Sequence, residues 1–279
     1  MSRIARLAYG FIAYAVFLFA FLYAVGFLAN LIVPKSIDSG VVEDVWSSIA
    51  INIALLSIFA LQHSIMARKS FKTWVHRFIP QAIERSTYVL CASAAMIAMF
   101  YFWQPIGGVI WHVADPILRG IIITVMTLGW SLVFVSTWLI NHFDLFGLRQ
   151  SWYAFRGMPM PALEFRQPWL YRQVRHPLYV GWLCIFWFTP TMTLGHLVFA
   201  IGTTALRALE SATNPAGRVG AFAGGGLVGG ERQQLGQRAA QAVEAMHHRR
   251  DALVETRRVE LAVEALCLVV VDLGDDELR

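Results

Sequence analysis

Arg175-His176-Pro177-Leu178-Tyr179-Val180-Gly181 is the stretch of this chain best equipped for chemistry. Pro177 suits the first position of a helix, where its missing N–H would be unpaired anyway. The helix that follows offers free amides and a partial positive charge at its start. Arg175 adds a planar fork matched to a carboxylate, and His176 an imidazole that titrates near neutrality. Together they form a site for an anionic group. A plainer role suits the same residues: an arginine snorkelling to a membrane edge, with Tyr179 and Trp182 in the interfacial belt.

Two further groups belong to the same argument. Asn141-His142-Phe143-Asp144-Leu145-Phe146-Gly147 opens the polar stretch that ends at Trp182. His142 and Asp144 are placed to share a site with His176. A carboxylate beside an imidazole orients it and raises its basicity, which is what a general base needs. The alternative is a helix C-terminal cap with Gly147 as the turn residue. Gln62-His63 is a polar pair inside an apolar run, where such residues face the bundle interior. It either lines a substrate pocket or bonds a neighbouring helix. His63 and His142 are also a conceivable haem pair, without supporting spacing. The three cysteines are isolated, so no metal centre is expected. Gly224-Gly225-Gly226-Leu227-Val228-Gly229 matches GxGxxG, but in a glycine run without the flanking strand that a dinucleotide site needs.

The elements that must position these residues are membrane helices. The 279 residues are 57% hydrophobic and 15% charged, with a mean hydropathy of +0.54. Soluble domains carry about a quarter charged residues, and a soluble core of this size cannot hide the excess. Apolar runs predict spans at Tyr9–Val33, Ser47–Met66, Tyr88–Trp103 and Ile117–Ile140. Pro190 interrupts the next run, which predicts two short helices, Leu178–Thr189 and Leu194–Leu206. The expected fold is an all-α polytopic bundle of about five spans, the last a Pro-broken helical hairpin.

Twelve Lys and Arg residues fall on the side that holds the polar stretch and two, Lys35 and Arg119, on the other. The positive-inside rule places the richer side in the cytoplasm, with a bacterial inner membrane as the setting. The net charge of +5 sits in short loops beside apolar runs. It therefore points to lipid and not to nucleic acid as the partner. From Leu206 the chemistry changes: no Lys, Ile, Trp or Tyr follows, and Phe222 is the single aromatic. Residues 1–205 read as the membrane domain and 206–279 as an atypical tail. That tail is either an extension with a charged helix from about Glu231 to Glu264, or an out-of-frame translation.

The Arg175–Gly181 segment resembles the RHPxYxG segment of membrane methyltransferases related to isoprenylcysteine carboxyl methyltransferase. Leu61–Arg68, Glu84–Tyr88, Asn141–Gln150 and Thr189–His196 are similar to one branch, the methanethiol S-methyltransferases. The resemblance covers about residues 1–205. It implies S-adenosylmethionine as cofactor, held by Arg175, His176, Pro177, Tyr179 and Gly181. It implies a small thiol substrate, methanethiol, converted to dimethyl sulfide, with Gln62 and His63 in its pocket. The thiol proton would pass to His142, oriented by Asp144, or to His176. Other acceptors within the resemblance are a larger thiol or an isoprenylcysteine carboxylate. A sister branch, of nitrogen-oxide metabolism, leaves open a non-enzymatic or haem-associated role. After Thr204-Ala205 the chain departs from the family in mid-helix, which favours the frame change.

Overall fold

The computed structural model describes residues 2–161 and 177–213, the last seven of them as backbone only. Four helices are long and apolar enough to cross a membrane: α1 (Arg3–Ala29), α2 (Val45–Ala67), α4 (Gln81–Phe102) and α5 (Pro116–Ile140). The shortest has 22 residues; at about 1.5 Å per residue it reaches about 33 Å, enough for a hydrocarbon core of about 30 Å. Their apolar side chains face outward as well as inward. Ile12, Leu22, Ile53, Ile121 and Leu128 are all exposed, as expected where the solvent is lipid. The protein is an integral membrane protein.

Local sequence fixes the ends of these helices. Ser2 caps α1 by accepting from the Ala5 amide at 3.2 Å. Asp44 caps α2 through the Ser47 amide, and Asp115 caps α5 through the Leu118 amide with Pro116 at the first turn. Each satisfies an amide that the helix leaves open. α1 stops four residues before the expected Val33, because Asn30 turns left-handed (φ 53°) and its N–H closes on the Gly26 carbonyl. α4 begins seven residues before the expected Tyr88. The charges of Glu84 and Arg85, which mark a loop by composition, lie on its first turns and are paired there. The basic loop before it contains a short helix, α3 (Lys69–Val75).

After α5 come α6 (His142–Leu145) and α7 (Leu148–Arg156). The Pro-broken hairpin follows the expected plan: α8 (Pro177–Trp187) and α9 (Leu194–Thr213) flank Pro190. Two short strands add to the helical plan. β1 (Val109–His112) pairs antiparallel with β2 (Thr191–Thr193). They answer the backbone groups that the break exposes: a helix interrupted inside an apolar layer must find other partners for its amides and carbonyls. The Phe186 carbonyl illustrates this. Its helical donor would be the amide of residue 190, a proline, and His196 Nε2–H donates to it instead at 3.1 Å.

α1 packs on α4 and α7, α2 on α4 and α9, and α5 on α8. Phe27, Phe100, Trp103, Val133, Ile185 and Phe199 form the buried core. Asn52 is fully buried there and exchanges two hydrogen bonds with the Gln104 backbone, at 2.8 and 2.9 Å. This ties α2 to the end of α4.

Candidate functional site

The polar segment after α5 is held by two backbone positions with positive φ. Asn141 (φ 122°) turns the chain out of α5, and Gly147 (φ 84°) turns it into α7. Gly147 has no room for a side chain: a Cβ there would lie 2.6 Å from the Ser86 amide nitrogen. Both turns press His142 and Asp144 into the protein, where they are 4% and 3% exposed.

His142 is bonded at both ring nitrogens. Nδ1 lies 2.9 Å from Thr137 Oγ1, and Nε2 lies 2.8 Å from the Tyr14 hydroxyl. The Thr137 hydroxyl already donates to the Phe134 carbonyl at 2.7 Å. Its oxygen therefore accepts from Nδ1–H, which leaves the lone pair on Nε2 to accept from Tyr14. The ring stacks on Trp138 at 4.6 Å, with an interplanar angle of 9°, and meets Phe146 edge-on at 4.8 Å. Burial lowers its pKa, so the imidazole is neutral at neutral pH.

Asp144 lies two residues away but belongs to a different network. Arg85 donates to its carboxylate at 3.0 Å and to its own carbonyl at 3.2 Å. Gln150 donates to the other carboxylate oxygen at 3.1 Å, and Arg149 stands 3.9 Å off. The orienting partner expected for His142 was Asp144; in the structure that place is taken by Thr137. Asp144 instead ties α6 to α4 and α7.

Pro177 opens α8 and is buried, Tyr179 is exposed and Gly181 is buried. Arg175 and His176 lie outside the described residues. A Cβ on Gly181 would lie 2.8 Å from Val133 Cγ2, and one on Gly129 would lie 2.8 Å from Cys184 Cβ. Residue numbers rise along α8 as they fall along α5, so the two helices are antiparallel. One further turn brings Pro177 level with Thr137. The start of α8 and His142 thus share one end of the bundle.

Gln62 and His63 sit on α2, and His63 faces α4. His63 meets the Tyr88 hydroxyl at 2.9 Å and stacks on Phe59. Gln62 Nε2 contacts Met66 Sδ at 3.1 Å, while its buried Oε1 has no hydrogen-bond partner among the described residues. Beside them Met66, Phe71, Lys72, Glu84 and Tyr88 line a shallow dip of about 10 Å³, room for about one water. Tyr14 and Thr137 are residues that sequence reasoning passed over, and Arg85, inside the Glu84–Tyr88 segment, has no role assigned by it. A tyrosine or threonine in an apolar run is ordinary membrane-helix composition, and Arg85 reads as one more loop cation.

Comparison with known proteins adds an independent finding. Over 204 residues, 73% of its length, the chain is 50% identical to a methanethiol S-methyltransferase of Crocosphaera subtropica and covers 80% of that protein. It is 47% identical over 204 residues to a methanethiol S-methyltransferase of Mycobacterium tuberculosis and covers 84% of it. Nurim of Xenopus laevis is 35% identical over 165 residues, 55% of this chain and 56% of that protein. No family model and no solved structure matches the chain.

Proposed function

The chain belongs to the methanethiol S-methyltransferase family, and on that footing we propose that it methylates methanethiol to dimethyl sulfide with S-adenosylmethionine as donor. Half-identity with enzymes of that name, across 204 residues, is the observation that carries the reading. That matched length falls one short of the aromatic-rich stretch before Leu206, so we assign the activity to residues 1–205.

The bound donor would supply a methyl group on a cationic sulfur. The described part of the Arg175–Gly181 segment is compatible with such a molecule: Pro177 is the first described residue of α8, and in this reading it stands at a helix start, where open amides would meet an anion. In this reading Arg175 and those amides hold the donor's carboxylate. His176 and Tyr179 complete the turn, and Gly181 lets α8 close on α5. Gln62 and His63, beside Met66 and Tyr88, are read as lining the thiol's way in towards that end of the bundle. The chain's own task is to make a thiolate, since the thiol is a poor nucleophile, and to bring sulfur into line with the methyl group. His142 is the base at the mouth of the bundle. We place that mouth on the cytoplasmic side of a bacterial inner membrane, on the strength of the Lys and Arg distribution.

Membranes containing the protein, given methanethiol and S-adenosylmethionine, should release dimethyl sulfide into the headspace. If none is released, methyl transfer to this thiol is refuted. In the same preparation Arg175→Ala should raise the donor's dissociation constant at least about tenfold, the loss of one charge-assisted pair. An unchanged constant removes Arg175 from that role.

A further inference from the structure

The base of this reaction is His142, yet the geometry does not let a thiol reach it. The ring is 4% exposed. Nδ1–H is spent on Thr137. The π faces and edges are covered by Trp138, Phe146, Phe134 and Phe143. The other ring nitrogen, Nε2, lies behind the Tyr14 hydroxyl at 2.8 Å. Tyr14 itself is only partly buried, on α1, and its ring is bordered by Phe17, Phe143 and Phe146. The hydroxyl is the end opposite Thr137 of a three-residue chain: Tyr14, His142, Thr137.

We propose that Tyr14 is a catalytic residue, whose hydroxyl takes the thiol proton while passing its own to His142. The inference rests on the methyl-transfer reading and deepens it. The S–H bond breaks and sulfur keeps the electron pair, which would form the new S–CH3 bond as the donor's methyl–sulfonium bond breaks and leaves its pair on the donor sulfur. A new O–H bond forms on Tyr14 as the old one breaks, and its proton makes Nε2–H. His142 becomes an imidazolium, with Nδ1–H still donating to Thr137 and Nε2–H now donating to Tyr14. After the product leaves, the proton returns along the same path to water. Thr137 positions the relay: by accepting from Nδ1–H it keeps the basic lone pair on the side facing Tyr14. The nearest charges in sequence, Asp144 and Arg149, belong to another network, in which Asp144 pairs with Arg85 and Arg149 stands 3.9 Å from it.

The test compares two acceptors in the full chain. Methanethiol is protonated at neutral pH and needs the relay; methaneselenol is ionised there and does not. Tyr14→Phe should lower kcat with methanethiol at pH 7 by about a hundredfold, the scale of one general acid–base step. It should leave methaneselenol methylation within about threefold of the parent, and its deficit with methanethiol should shrink as pH rises toward the thiol's own pKa. Thr137→Val should follow Tyr14→Phe, and Thr137→Ser should restore the parent profile. Equal losses with both acceptors would show a packing defect and overturn the relay. No loss with either would overturn it as well. A parent protein that methylates neither acceptor would sink the methyl-transfer reading itself, and the relay with it.

Discussion

Arg85 grips Asp144 twice, donating at 3.0 Å to the side-chain carboxylate and at 3.2 Å to the main-chain carbonyl of the same residue. The carboxylate is 4% exposed and the guanidinium 21%. A carboxylate this deep is tolerable only because it is paired and bonded, with Gln150 on its other oxygen. The pair joins the first turns of α4 to the segment that carries His142.

Removing the cation should therefore cost more than neutralising the carboxylate. Arg85→Ala strands a buried carboxylate, and about 3–5 kcal/mol of stability should be lost. Asp144→Asn keeps an acceptor for Arg85 and should cost about 1–3 kcal/mol. Chemical denaturation in detergent measures both. The exposed Arg68 is the control; if Arg85→Ala costs no more than Arg68→Ala, the pair does not hold the segment.

The contact between α5 and α8 rests on glycine. A methyl group on Gly129 would fall 2.9 Å from the Gly181 carbonyl oxygen, while one on Gly120, on the same helix, would meet nothing within 4 Å. Gly129→Ala should destabilise by about 1–3 kcal/mol through overpacking. Gly120→Ala should be neutral or stabilise by up to about 1 kcal/mol, because alanine restricts the unfolded chain and favours helix. Thermal unfolding of the two variants side by side separates them. Equal shifts would mean that the helices part easily at Gly129.

Much of this architecture is legible in the sequence because lipid makes hydrophobicity nearly one-dimensional. Four apolar runs become α1, α2, α4 and α5, and Pro190 breaks the last run where it should. Charge misleads at α4, where Glu84 and Arg85 look like loop residues but find partners in Lys72, His76 and Asp144. The strand pair is illegible. β1 and β2 have four and three residues, too few for a periodic pattern, and lie some eighty residues apart in sequence. At the site, sequence picks out the groups that titrate but not the hydroxyls that orient them. Nothing in an apolar run distinguishes Tyr14 or Thr137 from their neighbours, so adjacency suggests Asp144 as partner for His142 where packing supplies Thr137.

Burial of His142 makes stability depend on pH in one direction. Its folded-state pKa lies below the ordinary value of 6.5, so the unfolded chain binds more protons than the folded one between the two values. The stabilising contribution is complete above about pH 6.5 and is lost as pH falls through the folded-state pKa. Melting temperatures in detergent between about pH 7.5 and 5 should fall for the parent. They should fall less for His142→Gln, which cannot protonate. Parallel curves would mean that the ring is solvated and titrates alike in both states.

The break at Pro190 yields a sharper test of how the hairpin is held. Proline removes the amide that would serve the Phe186 carbonyl, and His196 Nε2–H replaces it at 3.1 Å from a fully buried position. His196→Leu keeps the volume and takes away the donor, which should cost about 1–3 kcal/mol for a buried carbonyl left unpaired. In a Pro190→Ala background an amide is again present one turn after Phe186, and the same substitution should cost at least about 1 kcal/mol less. A double-mutant cycle read by chemical denaturation measures the difference. Identical costs in the two backgrounds would mean that His196 stabilises the hairpin only by filling space.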